Sequence, residues 1–176
     1  MRSSFVGLLL TVLAAAALSA PTAFGQEAQV SGPVALGFET MAAVSAPYVE
    51  SSNVIRGIQG GGLPWIVSSA QGELGADGRL AIHVRGLVLA SAEPVPGDLQ
   101  GTNPAATFHG VVSCQSVDDT GAPTIVNVRT SDVPASPAGD ADIAETVTLP
   151  QPCVAPIVFV SGGVGIGNWF AATGNG

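Results

Sequence analysis

The chain has 176 residues, of which 47% are hydrophobic and only 10% are charged, and its formal net charge is −8. Since an average soluble domain carries about 25% charged residues, we expect uncharged polar residues and glycine to cover much of the surface. Its five cations are scattered arginines, and nucleic acid or an anionic membrane would require clustered cations, so the composition argues against both partners.

The first residues predict export. Arg2 precedes an uncharged apolar run at residues 5–18, which has the length of a signal-peptide core and is short for a membrane span. Small residues flank Phe24, as signal peptidases require, so we expect a signal peptide at residues 1–25. Residues 26–176 then form one exported domain without a membrane anchor. A retained N-terminal anchor is the alternative.

The first part of the exported domain has weak patterns. Residues 34–41 are a candidate strand, and the alanine-rich residues 41–46 are a candidate short helix. Residues 53–59 are a short strand candidate that ends at three consecutive glycines, which indicate a sharp bend or a close backbone approach.

The clearest element is a β-hairpin at residues 65–89. Asp77 and Gly78 supply a turn, because this dipeptide tolerates the positive φ angles that tight turns need. Apolar and polar residues then alternate from Arg79 to Arg85, which is typical of a strand that is buried on one face.

The rest of the chain alternates between strands and proline- or glycine-rich loops. Long loops are expected at residues 90–104 and 130–140, and the further strands at 106–117, 124–129, 143–149, 154–160 and 168–173. Short strands with regular turn signals and no long helix are typical of all-β folds. The sequence predicts an antiparallel β-sandwich or barrel of about eight strands.

The two cysteines, Cys114 and Cys153, predict one disulfide bond. An even number of cysteines in an exported protein favours pairing, and neither a CxxC motif nor a neighbouring histidine indicates a metal or redox site. The bond would connect the strand at residues 106–117 to the strand that begins at Val154.

Several segments resemble a group of uncharacterised exported bacterial β-proteins. The resemblance rests on the segments at residues 55–65 (IRGIQGGGLPW), 101–104 (GTNP), 111–115 (VVSCQ), 152–160 (PCVAPIVFV) and 169–174 (WFAATG), and it covers most of residues 53–174. It implies export, into the medium or the periplasm, and a β-fold. It implies no activity.

Histidines and tryptophans are the candidate functional residues. His83 and His109 would bind zinc or copper if their strands were neighbours and a carboxylate such as Glu73 or Asp98 joined them. The alternative is that each is an exposed histidine on the polar face of a sheet.

Trp65 and Trp169 would stack on a sugar or a peptide if both were exposed, and otherwise they pack in the core. No serine lies in a Gly-x-Ser-x-Gly motif, so a secreted hydrolase is the weakest interpretation. We therefore expect a non-enzymatic protein with a binding or structural role, an unknown extracellular or envelope partner and no cofactor. A metal-binding protein that uses both histidines is the alternative.

Overall fold

The structure, a computed structural model, describes residues 32–174. The predicted signal peptide at residues 1–25 lies outside the described residues, as does the predicted start of the exported domain at residue 26. Within the described range the protein is all-β, as the sequence predicts. The helical structure in this range is a single 3-10 turn at Glu50–Ser52.

Strands of very different lengths make up the fold. In chain order they are β1 (Val34–Phe38), β2 (Ala42–Ala43), β3 (Val54–Ile55), β4 (Ile58–Gln59), β5 (Trp65–Ile66), β6 (Ser69–Gly75), β7 (Arg79–Arg85), β8 (Val88–Leu89), β9 (Thr107–Val117), β10 (Pro123–Arg129), β11 (Val133–Pro134), β12 (Ala141–Thr146), β13 (Val154–Gly162) and β14 (Asn168–Ala172). Eight strands of the described chain have five or more residues, which agrees with the predicted number.

The longer strands form two antiparallel sheets. The four-stranded sheet has the order β1–β6–β7–β12, and the six-stranded sheet has the order β10–β9–β13–β14–β2, with β11 also paired to β9. The predicted hairpin is confirmed as β6 and β7, with Leu74 opposite Leu80 and Gly78 at a φ of +87° in the turn. The architecture is sandwich-like, and its sheets do not close into a barrel.

The short helix predicted at residues 41–46 is wrong. Ala42 and Ala43 form β2 and pair with β14, and the amide of Val44 donates to the carbonyl of Phe170 at 2.9 Å. Met41 and Val44 are buried. Alanine favours helices, but a segment this short gains more from pairing and burial than from its intrinsic propensity.

The main core lies between the two sheets. Leu80, Ile82 and Val84 on β7 form the buried row of the four-stranded sheet. They face Gly110 on β9, where a Cβ would lie 2.8 Å from Leu80 Cδ2 and 3.2 Å from Ile82 Cδ1. Gly110 therefore allows the sheets to approach each other at this point.

The central strand β9 is buried on both faces, because every residue from 108 to 114 is buried. Its even-numbered residues face the main core. The odd-numbered residues point to the other side, which we call the outer face of the six-stranded sheet. The segment around Arg56 covers part of this outer face: Arg56 donates to the Ser113 carbonyl at 2.8 Å, and Asn127 donates to the Arg56 carbonyl at 3.2 Å.

The predicted disulfide between Cys114 and Cys153 is confirmed, with a Cα–Cα distance of 4.9 Å and a sequence separation of 39. Cys114 is in the middle of β9, and Cys153 directly precedes β13. These two strands are neighbours in the six-stranded sheet. The bond therefore fixes the centre of the sheet covalently.

Replacing both cysteines with alanine should lower the free energy of unfolding by about 4 kcal/mol, because the closed loop restricts the unfolded chain. Urea denaturation of the oxidised protein and of the double variant measures the difference. Wild-type protein in excess reductant is the control and should unfold at a similar urea concentration. A loss below about 1 kcal/mol would contradict a stabilising role for the bond.

Gly110→Val should destabilise the protein by about 1–3 kcal/mol, because the added side chain must displace Leu80 and Ile82. Valine is itself favoured in strands, so a loss of stability in this variant would report the contact between the sheets and not strand propensity. Gly97→Val is the matched control, since a Cβ at Gly97 meets no atom within 4 Å. Thermal unfolding of both variants tests the expected order.

Candidate functional site

His83 lies on the solvent side of the four-stranded sheet. Its Nδ1 donates to Asp142 Oδ1 at 2.9 Å, and the two residues are directly opposite each other on β7 and β12. Arg85 Nη2 donates to the same carboxylate oxygen at 2.8 Å. The histidine side chain is 42% exposed and that of Asp142 is 59% exposed, so this cluster is in contact with water.

The hydrogen bond from His83 is the main reason that the pKa of Asp142 lies below its ordinary value, and the bond and charge of Arg85 add to it. Partial burial of Asp142 raises its pKa and so opposes these effects. An open cavity of about 550 Å³ lies beside the cluster, between Arg85 and Asp142 on one side and Pro134–Ser136 on the other. Asp142 is therefore held as a carboxylate at the edge of a polar depression.

His109 has a different environment, because its side chain is completely buried. Its Nδ1 is 3.0 Å from Asp132 Oδ1, and its Nε2 is 3.0 Å from the carbonyl oxygen of Ile166. A carbonyl oxygen can only accept, so Nε2 carries a hydrogen and donates it. Arg129 donates to the same oxygen of Asp132 and to the carbonyl of Gly165.

The structure does not bring the two predicted metal ligands together. His83 points away from the main core on one sheet, and His109 points away from it on the other, so the sandwich separates the rings. Each ring is bonded to a different aspartate. Among residues 32–174, no three histidine, cysteine, aspartate or glutamate side chains are grouped in a way that would hold a metal ion.

The two proposed carboxylate ligands lie in different parts of the fold. Glu73 is on the same side of the four-stranded sheet as His83, one row away, where it pairs with Ala81. Asp98 lies in the long loop between β8 and β9.

Both tryptophans are packed inside the protein. Trp65 is 5% exposed and stacks on Phe170 with 4.2 Å between the ring centroids. Trp169 is 4% exposed and lies 6.1 Å from Phe159, again between centroids. A ligand that stacked on either indole ring would have to displace these neighbours.

The outer face of the six-stranded sheet contains polar groups that the sequence analysis missed. Four side-chain atoms in the described part of the chain are buried without a hydrogen-bond partner, namely Ser113 Oγ, Asn127 Oδ1, Ser161 Oγ and Trp169 Nε1. Ser113 is opposite Asn127, and Ser161 is opposite Trp169. Period two places Ser113 on the face of β9 opposite Val112 and Cys114, but nothing in the sequence indicated that its face is covered.

Ser161, His109 and Asp132 have the residue types of a hydrolytic triad. Ser161 is directly opposite His109 in the sheet, and His109 Nδ1 bonds Asp132. However, His109 Nε2 is held by the Ile166 carbonyl, and Ser161 Oγ has no partner. Nucleophilic catalysis needs a hydrogen bond between the serine and its base, and this arrangement lacks it.

A row of exposed apolar side chains crosses one end of the six-stranded sheet. Ile125, Gln115 and Val154 are register partners, and Ile125 and Val154 are 42% and 52% exposed. Val117 is 44% exposed and lies on the same face, two residues beyond Gln115. An open cavity of about 550 Å³ adjoins the row, lined by Gln115, Ser116 and Pro123–Ile125. We call the exposed side chains of Val117, Ile125 and Val154 the apolar row.

The apolar row adjoins an edge strand, β10, which pairs only with β9 in the described part of the chain. Natural proteins usually protect edge strands with charges, prolines or bulges. In β10, the proline is the first residue and the single charge, Arg129, is the last. The edge strand β12, by contrast, carries Asp142 and Glu145. The five central residues of β10 are uncharged and open to pairing.

A search of family models, curated proteins and solved structures finds no match to this chain. In the described range, no helix is long and apolar enough to cross a membrane. The disulfide bond indicates an environment that is not reducing.

The pKa of Asp142 should rise in both His83→Ala and Arg85→Ala, because each partner donates a hydrogen bond that stabilises the carboxylate. Carboxyl ¹³C NMR titration measures it. Because the folded pKa is lowered, the ionised form stabilises the protein above pH about 4, and this contribution is lost as the pH falls through the folded pKa.

The associated change in stability should be about 0.5 kcal/mol, because exposed ion pairs contribute little. Asp142→Asn should therefore reduce the loss of stability on acidification by that amount, as measured by urea unfolding at pH 7 and pH 3. An unchanged pKa of Asp142 in either alanine variant would contradict the role assigned to that partner.

Proposed function

We propose that this protein is an exported, non-enzymatic β-sandwich that binds a partner protein outside the cytoplasm, either in the medium or in the periplasm. The observation that carries the proposal is the uncharged edge strand β10 beside the apolar row. The partner contributes an extended segment that pairs with β10. This mode of recognition is common where a sheet has a free edge.

Strand addition uses two kinds of contact. The outward-facing backbone groups of β10 hydrogen-bond the incoming segment, which supplies affinity whatever its sequence. Ile125 and Val154 and the adjoining cavity accept alternate apolar side chains, which supplies specificity. A segment with apolar residues at every second position matches this surface.

The disulfide bond supports the same proposal, since it lies next to the binding strand. Val126, at the centre of β10, is the register partner of Cys114. Cys114 is bonded to Cys153. The strand next to β10, which is β9, is therefore paired with β10 on one side and covalently linked to the start of β13 on the other. A rigid edge loses little conformational entropy on binding. The bond and the predicted signal peptide together favour function outside the cytoplasm.

Photo-crosslinking tests the proposal, and it suits this chain because lysine is absent and amine-reactive reagents have no lysine target. A photoreactive amino acid replaces Ile125 in one variant and Ile66 in the other. Ile66 is the matched control, because it is also a strand isoleucine and is 47% exposed, compared with 42% for Ile125. Each variant is mixed with the medium and envelope fractions of the producing cells and irradiated.

We expect a discrete adduct from position 125 that position 66 does not give. Excess wild-type protein should compete for the adduct. An Ile125→Lys competitor should be at least about tenfold weaker, equivalent to about 1.4 kcal/mol, because it places a charge in the apolar row. No adduct at position 125, or the same adduct from both positions, would refute the proposed surface. An adduct with the mass of two copies would identify self-association instead.

A further inference from the structure

Ser161 Oγ and Trp169 Nε1 are buried polar atoms without a partner. Ser161 is fully buried and Trp169 is 4% exposed. An unpaired buried hydroxyl or indole N–H costs about 1–3 kcal/mol, so native proteins rarely leave two of them side by side. Their occurrence at facing positions of β13 and β14 indicates that something else satisfies both.

The two atoms belong to one row across the outer face of the six-stranded sheet. His109, Ser161 and Trp169 are successive register partners on β9, β13 and β14. Directly paired side chains on antiparallel strands lie on the same face, about 5 Å apart at Cβ. The side chains of Ser161 and Trp169 therefore extend from neighbouring positions on the same buried face.

A glycine-rich loop at residues 163–167 covers this row at Ser161. The loop connects β13 to β14, yet the carbonyl of Ile166 reaches the ring of His109 on β9. The loop must therefore fold back over Ser161, which lies on the strand between them. Gly163, Gly165 and Gly167 have φ angles of +100°, +66° and +66°, which side chains other than glycine rarely adopt.

One carboxylate, that of Asp132, holds the loop in place. Its Oδ1 accepts hydrogen bonds from both His109 and Arg129. The same two residues donate to consecutive loop carbonyls, His109 to Ile166 and Arg129 to Gly165. Asp132 thus orients both donors that fasten the loop to the sheet.

We propose that Ser161 and Trp169 form an internal binding site for one water molecule, and that Asp132 controls access to it by latching the loop at residues 163–167. The indole N–H can only donate, so the ligand must accept a hydrogen bond from it. The serine hydroxyl can donate or accept. Water meets both requirements and is the usual partner of buried polar groups that the protein itself leaves unpaired.

The test uses the indole N–H signals of ¹⁵N-tryptophan-labelled protein. The chain has two tryptophans, so two signals are expected, and a Trp65→Phe variant assigns them. We expect a nuclear Overhauser contact between the Trp169 indole hydrogen and long-lived water in the wild type. Ser161→Ala should weaken this contact, because it removes one of the two groups that hold the water.

Hydrogen–deuterium exchange of the same signals tests the latch. Asp132→Ala should speed exchange of the Trp169 indole hydrogen at least about tenfold, whereas Trp65 should be unaffected. Asp142→Ala is the matched control, because Asp142 also accepts from a histidine and an arginine but lies on the other sheet. This control should leave both rates unchanged.

Two results would overturn the inference. Absence of a water contact at the Trp169 indole, together with an empty site in a crystal structure that resolves ordered water, would refute the site. Equal exchange rates in the wild type and Asp132→Ala, with the Trp65 signal confirming an intact fold, would refute the latch. If Asp132→Ala does not fold, Arg129→Ala applies the same test through one of the two fastening donors.

Discussion

The burial of β9 on both faces is the constraint on which the rest of the structure depends. A strand in a two-layer sandwich ordinarily has one face in the core and one in water. Here the main core covers one face, while the segment around Arg56 and the loop at residues 163–167 contact the other. The disulfide is attached to this strand at Cys114. The centre of the six-stranded sheet is consequently held by strand pairing, by packing on both faces and by a covalent bond.

This constraint places reactive side chains in the interior and leaves the edge strand β10 exposed. His109, Ser161 and Trp169 would lie on a solvated face if no other segment covered the outer face of the six-stranded sheet. In the folded protein all three are buried. What the six-stranded sheet leaves exposed is its edge strand β10 and the apolar row. A rigid centre beside an open edge is suited to recognition of an extended segment.

Two aspartates illustrate how location decides the role of the same chemical group. Asp142 and Asp132 each accept hydrogen bonds from one histidine and one arginine through a single oxygen. Around Asp142 the histidine is exposed to water, so the cluster contributes little to stability. Around Asp132 the histidine is buried and holds a loop closed. The same three residue types thus form a surface ion pair in one case and a latch in the other.

By itself the sequence determined the all-β class, the disulfide, the loop at residues 90–104 and the hairpin of β6 and β7. These features depend on local chemistry: a period of two, the turn preference of Asp77 and Gly78, and the pairing of two cysteines. Only the tertiary structure decided which polar faces are exposed. Period two shows which side chains share a face, but whether another layer covers that face depends on contacts between distant segments. For that reason the sequence could not place His83 and His109 on opposite sides of the sandwich, bury both tryptophans or bring Asp132 to His109.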